Sequence, residues 1–222
     1  MNKCILIILL ALIASNALGA SVPEGAKLGD WSSASYLVWP TEKGTPGGGI
    51  RVPSPDEAHS AIIQEHILTV VTRQPGEKHS QSIYLYAIAE VGWASDSAAL
   101  FLTRSDGGWV GSWFTRVILM KGREFGEIDI SHQAAEDFHE HFSKCPKEQP
   151  NVIAITWVGG SRQLLLVAES PDHSSCPDMG NIAGYLVEVP SGEIIKRYNK
   201  KELRANYGSY FGPRLNFKYK DE

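Results

Sequence analysis

Short apolar runs separated by polar turns dominate this chain, the rhythm of hairpins rather than of long helices. Trp31 to Trp39 (WSSASYLVW) reads as a strand, and Thr41 to Gly49 as a Gly- and Pro-rich loop. Pro53, Pro55 and Asp56 mark a turn, as does Pro75-Gly76. Between them Ile67 to Thr72 is β-branched and suits a strand, while residues 58–66 are ambiguous between strand and short helix. Ser82 to Ala89 has apolar residues on both of its alternating faces, the pattern of one strand buried on both sides. Arg104 to Gly108 is a hairpin turn, because Asp-Gly tolerates positive φ. Strands follow at Trp113–Met120 and Glu127–Ile130.

One helix stands out. QAAEDFHEHFSKC carries Ala134, Phe138 and Phe142 near a four-residue spacing, with Ser131 placed to cap it. Beyond it come a long turn from Glu169 to Asn181, a strand at Tyr185–Val189 and another at Glu193–Tyr198. Lys200 to Tyr207 can add a short helix before a polar end.

One unit occurs twice. VGWASDSAALFLT (91–103) aligns with ITWVGGSRQLLLV (155–167), so that Trp93 falls on Trp157, Ser97 on Ser161 and Leu100 on Leu164, 64 residues apart. Each copy is a β-branched residue, a Trp, a polar turn closing on Ser, and an apolar strand. This succession resembles the repeat of TolB-like β-propellers. WASDSAALFLTRSDGG at 93–108 is the nearest match, TWVGGSRQLLLVAES at 156–170 has Gly160 where the repeat usually has Asp, and PSPDEAHSAI at 53–62 is a third copy without the tryptophan. The resemblance implies blade-type antiparallel sheets and transfers no catalytic residue. Propeller repeats run about 40–45 residues and at least four close a ring. A chain of this length with a 64-residue offset holds about three units, so the expectation is a mainly β fold. It would form an incomplete propeller or a sandwich-like stack, with one helix between repeats.

The first twenty residues change the picture of destination. Lys3, the apolar run Ile5–Ala14 and the small residues Ala17 to Ala20 form the three-part pattern of a secretory signal, with residues 1–19 removed and 20–222 left as one domain. The apolar core is shorter than the roughly 20 residues that span a bilayer, so no membrane span is expected after cleavage. The formal charge of −4 becomes one unit more negative when Lys3 is lost, and the charges are scattered, which leaves no nucleic-acid footprint. Cys4 leaves with the signal. Cys145 and Cys176 remain, and in an exported protein they are expected to form a disulfide. A periplasmic or secreted location follows.

The candidate chemistry is sparse. His132, His139, His141 and His173, with Cys145 and Cys176, offer zinc-ligand residue types. On a helix, however, His139 and His141 point about 200° apart, and His132 lies two turns from His139. Solvated histidines are the expectation, with no metal and no cofactor. Asp172, His173 and Ser174 to Cys176 suit a surface loop pinned by a disulfide better than a nucleophile, since no elbow motif places a base beside a serine. Glu136 and Asp137 read as solvated charges. Trp93 and Trp157, in register, read as core. Trp109, Trp113 and Phe114 follow the Asp-Gly-Gly turn and are the binding candidates, since an exposed aromatic there would anchor a partner. The reading is thus an exported, non-enzymatic binding protein that scaffolds or neutralises a protein partner in the cell envelope. The competing class is a small metal-dependent hydrolase or lyase built on the histidines.

Overall fold

The computed structural model describes residues 22–42, 49–72, 80–108, 111–121, 124–145 and 148–219. The signal-like segment, Trp109 and the Pro75-Gly76 turn lie outside these. Two short strands come first, β1 (Lys27–Leu28) and β2 (Tyr36–Val38). The first blade is the meander β3 (Ile50–Pro53), β4 (His59–Gln64), β5 (Ile67–Thr72) and β6 (Ser80–Tyr84). The second comprises β7 (Ala89–Trp93), β8 (Ala99–Ser105), β9 (Trp113–Lys121) and β10 (Glu124–Asp129), extended beyond β7 by β2 and β1. Helix α1 (His132–His141) follows, and then the third blade of β11 (Asn151–Val158), β12 (Gln163–Glu169), β13 (Ile182–Glu188) and β14 (Ile194–Tyr198). Neighbouring strands in every sheet are antiparallel. Two helices end the chain, α2 (Lys200–Tyr207) and α3 (Pro213–Phe217).

The sheets stack, and the stacking explains the sequence pattern. The first blade buries one face, through Val52, Ala61, Ile63, Leu68 and Val70, against Val91, Leu100, Leu102 and Ile118 of the second. Its strands therefore alternate, with β5 exposing Ile67 and burying Leu68 and Val70. The third blade is covered on both faces. Val152, Ala154, Leu164 and Leu166 meet Phe101 and Val117 of the second blade together with Ala134 and Phe138 of α1. Ile153, Ile155, Leu165 and Val167 meet Trp31 and the C-terminal residues Leu203, Phe211, Leu215 and Tyr219. Its strands accordingly read as nearly unbroken apolar runs.

The repeated residues link blade to blade. Trp93 Nε1 donates to the Val52 carbonyl at 3.1 Å, and Trp157 Nε1 donates to the Gly92 carbonyl at 2.9 Å. At the adjoining turns, Asp56 N–H donates to Ser97 Oγ at 3.2 Å, and Ser161 donates through N–H and Oγ to Asp96 Oδ2 at 2.9 and 3.0 Å. Gly160, with φ of +73°, leaves room for the Asp96 carboxylate where a Cβ would collide with it, which accounts for the missing Asp in that copy. Replacing Trp157 by Phe keeps most of the ring and removes the donor. A loss of about 1–2 kcal/mol is expected, read in urea unfolding; no change would show that the bond to Gly92 is idle.

Both ends of the stack depart from the repeat. The third blade's far face is sealed by α2, α3 and Trp31, so no further blade can stack there. On the first blade's open face Arg51, Pro53 and Ser60 occupy the places of Val91, Trp93 and Leu100, and Arg51 Nε and Nη2 donate to Ser60 Oγ at 3.2 and 3.0 Å. A polar outer face is what a terminal repeat needs. The sheets do not close.

Four expectations are corrected. Trp31 to Trp39 is not one strand; Tyr36–Val38 alone pairs, and Trp31 to Ser35 wraps a carboxylate described below. Ser82 to Ala89 is not one strand: it holds the end of β6, a junction at residues 85–88 and the first residue of β7. The main chain leaves the sheet at Leu85, whose N–H donates to the His66 carbonyl at 2.7 Å. The helix ends at His141 rather than near Cys145, and Ser131 spends its hydroxyl on Asp129 Oδ1 at 2.8 Å instead of on the helix N–H groups. The polar end contains α3, which begins at a proline and buries Leu215. Residues 58–66 resolve as strand β4 and its turn.

Candidate interaction surface

At one end of the first two blades, the β4–β5 turn, the β6–β7 junction and the start of β9 come together. His66 is held by its carbonyl, which accepts from Leu85 N–H, and by its Nδ1, which lies 3.1 Å from the Leu85 carbonyl. Its ring stacks on Tyr84 with centroids 5.5 Å apart, and Tyr84 meets Tyr86 edge-to-face at 5.0 Å. Such offset and edge-to-face pairs fix ring orientation. Arg104 Nη1 donates to the Tyr84 carbonyl at 3.0 Å while its guanidinium lies 4.7 Å from the Phe114 ring centroid. Large apolar residues are exposed here: Tyr86 by 66%, Tyr84 by 48%, Ile88 by 38% and Ile67 by 37%. Beside His66 lies an open cleft of about 450 Å³ lined by Pro40, Thr41, Glu42 and Glu65.

Of the sequence candidates, Phe114 alone is placed on this surface. Trp109 lies outside the described residues. Trp113 is 4% exposed, packs edge-to-face on Trp31 at 6.0 Å and donates its N–H to Asn151 Oδ1 at 2.9 Å, so it is core. Tyr84, Tyr86 and Ile88 were not legible as surface, because SIYLYAIA reads as a strand buried on both faces. The signal available was the repeat itself: Asp56 and Asp96 are 40 residues apart, which puts a blade boundary between Tyr84 and Ala89.

Cys145 and Cys176 are disulfide-bonded, with Cα atoms 4.9 Å apart. The Glu169–Asn181 turn is further tied down by Ser175, which donates to Glu148 Oε1, by Asp178, which accepts from Lys144 N–H, and by Asn181, which donates to the Phe142 carbonyl. Ser174 Oγ donates to the Pro171 carbonyl, a turn contact. Among the described residues, the potential metal-ligand side chains that gather are Cys145, Glu148 and Cys176, and the two sulfurs are spent on each other. His132 sits 3.4 Å from Glu136 and His141 beside Asp137, each within one turn of α1. Asp137 is not a solvated charge. It accepts two bonds from Arg197 Nε at 2.9 Å, and this pairing holds its carboxyl below the usual range.

Two buried carboxylates staple the stack from within. Glu90 on β7, fully buried, accepts from the N–H groups of Trp31 and Ser32 at 2.8 and 3.3 Å and from Ser35 Oγ at 2.7 Å, which wraps the N-terminal segment onto the second blade. Burial pushes its carboxyl up, against those donors. Glu169 on β12 pairs with Lys218 and accepts from Asn151 Nδ2 at 3.2 Å. Lys218 also reaches both oxygens of Asp172, at 2.8 and 2.7 Å. These groups join β9, β11, β12 and the chain just after α3. They act as staples rather than as a site open to a ligand. No helix among the described residues is long and apolar enough to cross a membrane.

No family model, no curated protein and no solved structure matches the chain.

Proposed function

We propose that this chain is an exported, non-enzymatic binding protein that engages a protein partner of the cell envelope through Tyr84, Tyr86 and Phe114. The observation that carries this reading is the exposed, mutually oriented tyrosine pair, held by main-chain bonds at the rim of rigid sheets. Tyrosine offers large contact area with few rotamers to freeze, which is why it recurs at binding hot spots. The signal-like N-terminal pattern and the disulfide support export to an oxidising compartment, the periplasm or beyond. The blades, read as TolB-like repeats, serve as the frame.

Site-specific photocrosslinking tests the surface in cells. A crosslinking residue at Tyr86 is expected to capture one discrete partner, whereas the same residue at Glu193, in the turn before β14, captures none. Tyr84→Ala should reduce the Tyr86 adduct at least tenfold while leaving the fold intact, since a hot-spot truncation typically costs about 2 kcal/mol or more. Equal labelling from both positions, or none from either, would end the proposal. Osmotic-shock release of the mature chain checks its location, and retention with the cytoplasm would contradict it.

A further inference from the structure

We propose that Arg104 and Arg116 form a carboxylate-binding subsite within this surface, so that the partner presents an acidic side chain there; this rests on the interaction reading above. The two arginines stand on adjacent strands. Leu102 pairs with Arg116 and Arg104 with Phe114, so both guanidinium groups project from the same face of the β8–β9 ladder as diagonal neighbours. Like charges so placed repel unless something negative lies between them.

The donors are only partly spent. Arg116 gives Nη1 to Glu127 Oε1 at 3.1 Å. Arg104 gives Nη1 to a carbonyl and lays its plane over Phe114, and it has no carboxylate partner among the described residues. The Nε atoms of both arginines are buried and lack a hydrogen-bond partner, so an incoming carboxylate would meet the Nη groups, of which only Nη1 on each arginine is engaged among the described residues. A carboxylate accepts two guanidinium N–H donors in a planar fork, a geometry that the outer Nη groups can supply. Burial first, and then the neighbouring Arg116, make the charged form of Arg104 harder to hold, which an added anion would relieve.

The surroundings select the kind of anion. Glu127 and Asp129 lie close enough to act on Arg104, so the two arginines and the two carboxylates balance in formal charge. A single carboxylate can use the open Nη donors, while a polyanion would need an extended basic stripe, and the chain carries a formal charge of −4. Phe114, under the Arg104 guanidinium, gives the site an apolar wall, where exclusion of water strengthens a charge-assisted bond.

The test uses the full mature chain and no partner, so its failure leaves the crosslinking result standing. Arginine Nε–H resonances are followed in NMR titrations at constant ionic strength with N-acetyl-glutamate methylamide, its glutamine analogue and inorganic phosphate. Saturable shifts at both Arg104 and Arg116 with the glutamate compound are expected, with none from the glutamine compound. Arg104→Gln should weaken that affinity at least tenfold. Arg116→Gln provides the second variant if the first misfolds. Absence of saturation, equal response to the glutamine compound, or tighter binding of phosphate than of the carboxylate would each overturn the assignment.

Discussion

Replacing Cys145 and Cys176 together by serine is expected to lower the unfolding free energy by about 3–4 kcal/mol, the loop-closure value for a bridge of this span. The bridge joins residues 31 apart in sequence and encloses β11 and β12, the centre of the doubly covered blade. Its effect falls on the unfolded chain, because Ser175–Glu148, Lys144–Asp178 and Asn181–Phe142 still hold the turn in the native state. The double variant should therefore keep its native near-ultraviolet circular dichroism and lose stability in urea. A loss below about 1 kcal/mol would mean that the unfolded chain was already constrained between those positions.

Lys218→Met should cost about 3–5 kcal/mol, since it strands a carboxylate that the fold has removed from water. Glu169 has a fully buried side chain, and Lys218 is 8% exposed. Burial pushes the Glu169 carboxyl up from 4.5 and the ammonium opposes that rise. Without the ammonium, the native state holds a proton that the unfolded chain gives up above about 4.5, the ordinary glutamate value. The deficit is thus smallest below that pH and grows as pH rises through the raised native value. Thermal unfolding of wild type and variant between pH 4 and 8 reads the trend directly. Adding Glu169→Gln should restore part of the loss at neutral pH and flatten it with pH. A deficit that does not change with pH would show that Lys218 acts through packing against Trp31, 6.0 Å away, rather than through charge.

Several features were legible because they are local. The Trp–turn–strand unit announces itself twice, since each hairpin needs its own turn residues and its own alternation, and the structure places both copies on successive blades. Strand β5 was read at its observed bounds from β-branched residues alone, and α1 from a four-residue spacing. The disulfide followed from counting two cysteines in an exported context. The offset of 64 hid a 40-residue period, because α1 and its flanks are inserted between the second and third blades and because Pro53 stands where the first copy would carry its tryptophan.

What the chain determined by itself was the set of hairpins, the helix between repeats and a mainly β class, all properties of neighbours a few residues apart. Which faces of those hairpins are covered was decided only by the tertiary structure. Ser82 to Ala89 carries apolar residues on both sides whether it is buried or not. Tyr84 and Tyr86 are exposed because they alternate with Ile83 and Leu85, which are buried in the cluster shared with the second blade. Trp31 and the tail from Phe211 to Tyr219 have no readable period. They are held by Glu90 and by the third blade's far face, partners far from them in sequence. Burial is a long-range property, and a local pattern of residues does not contain its partners.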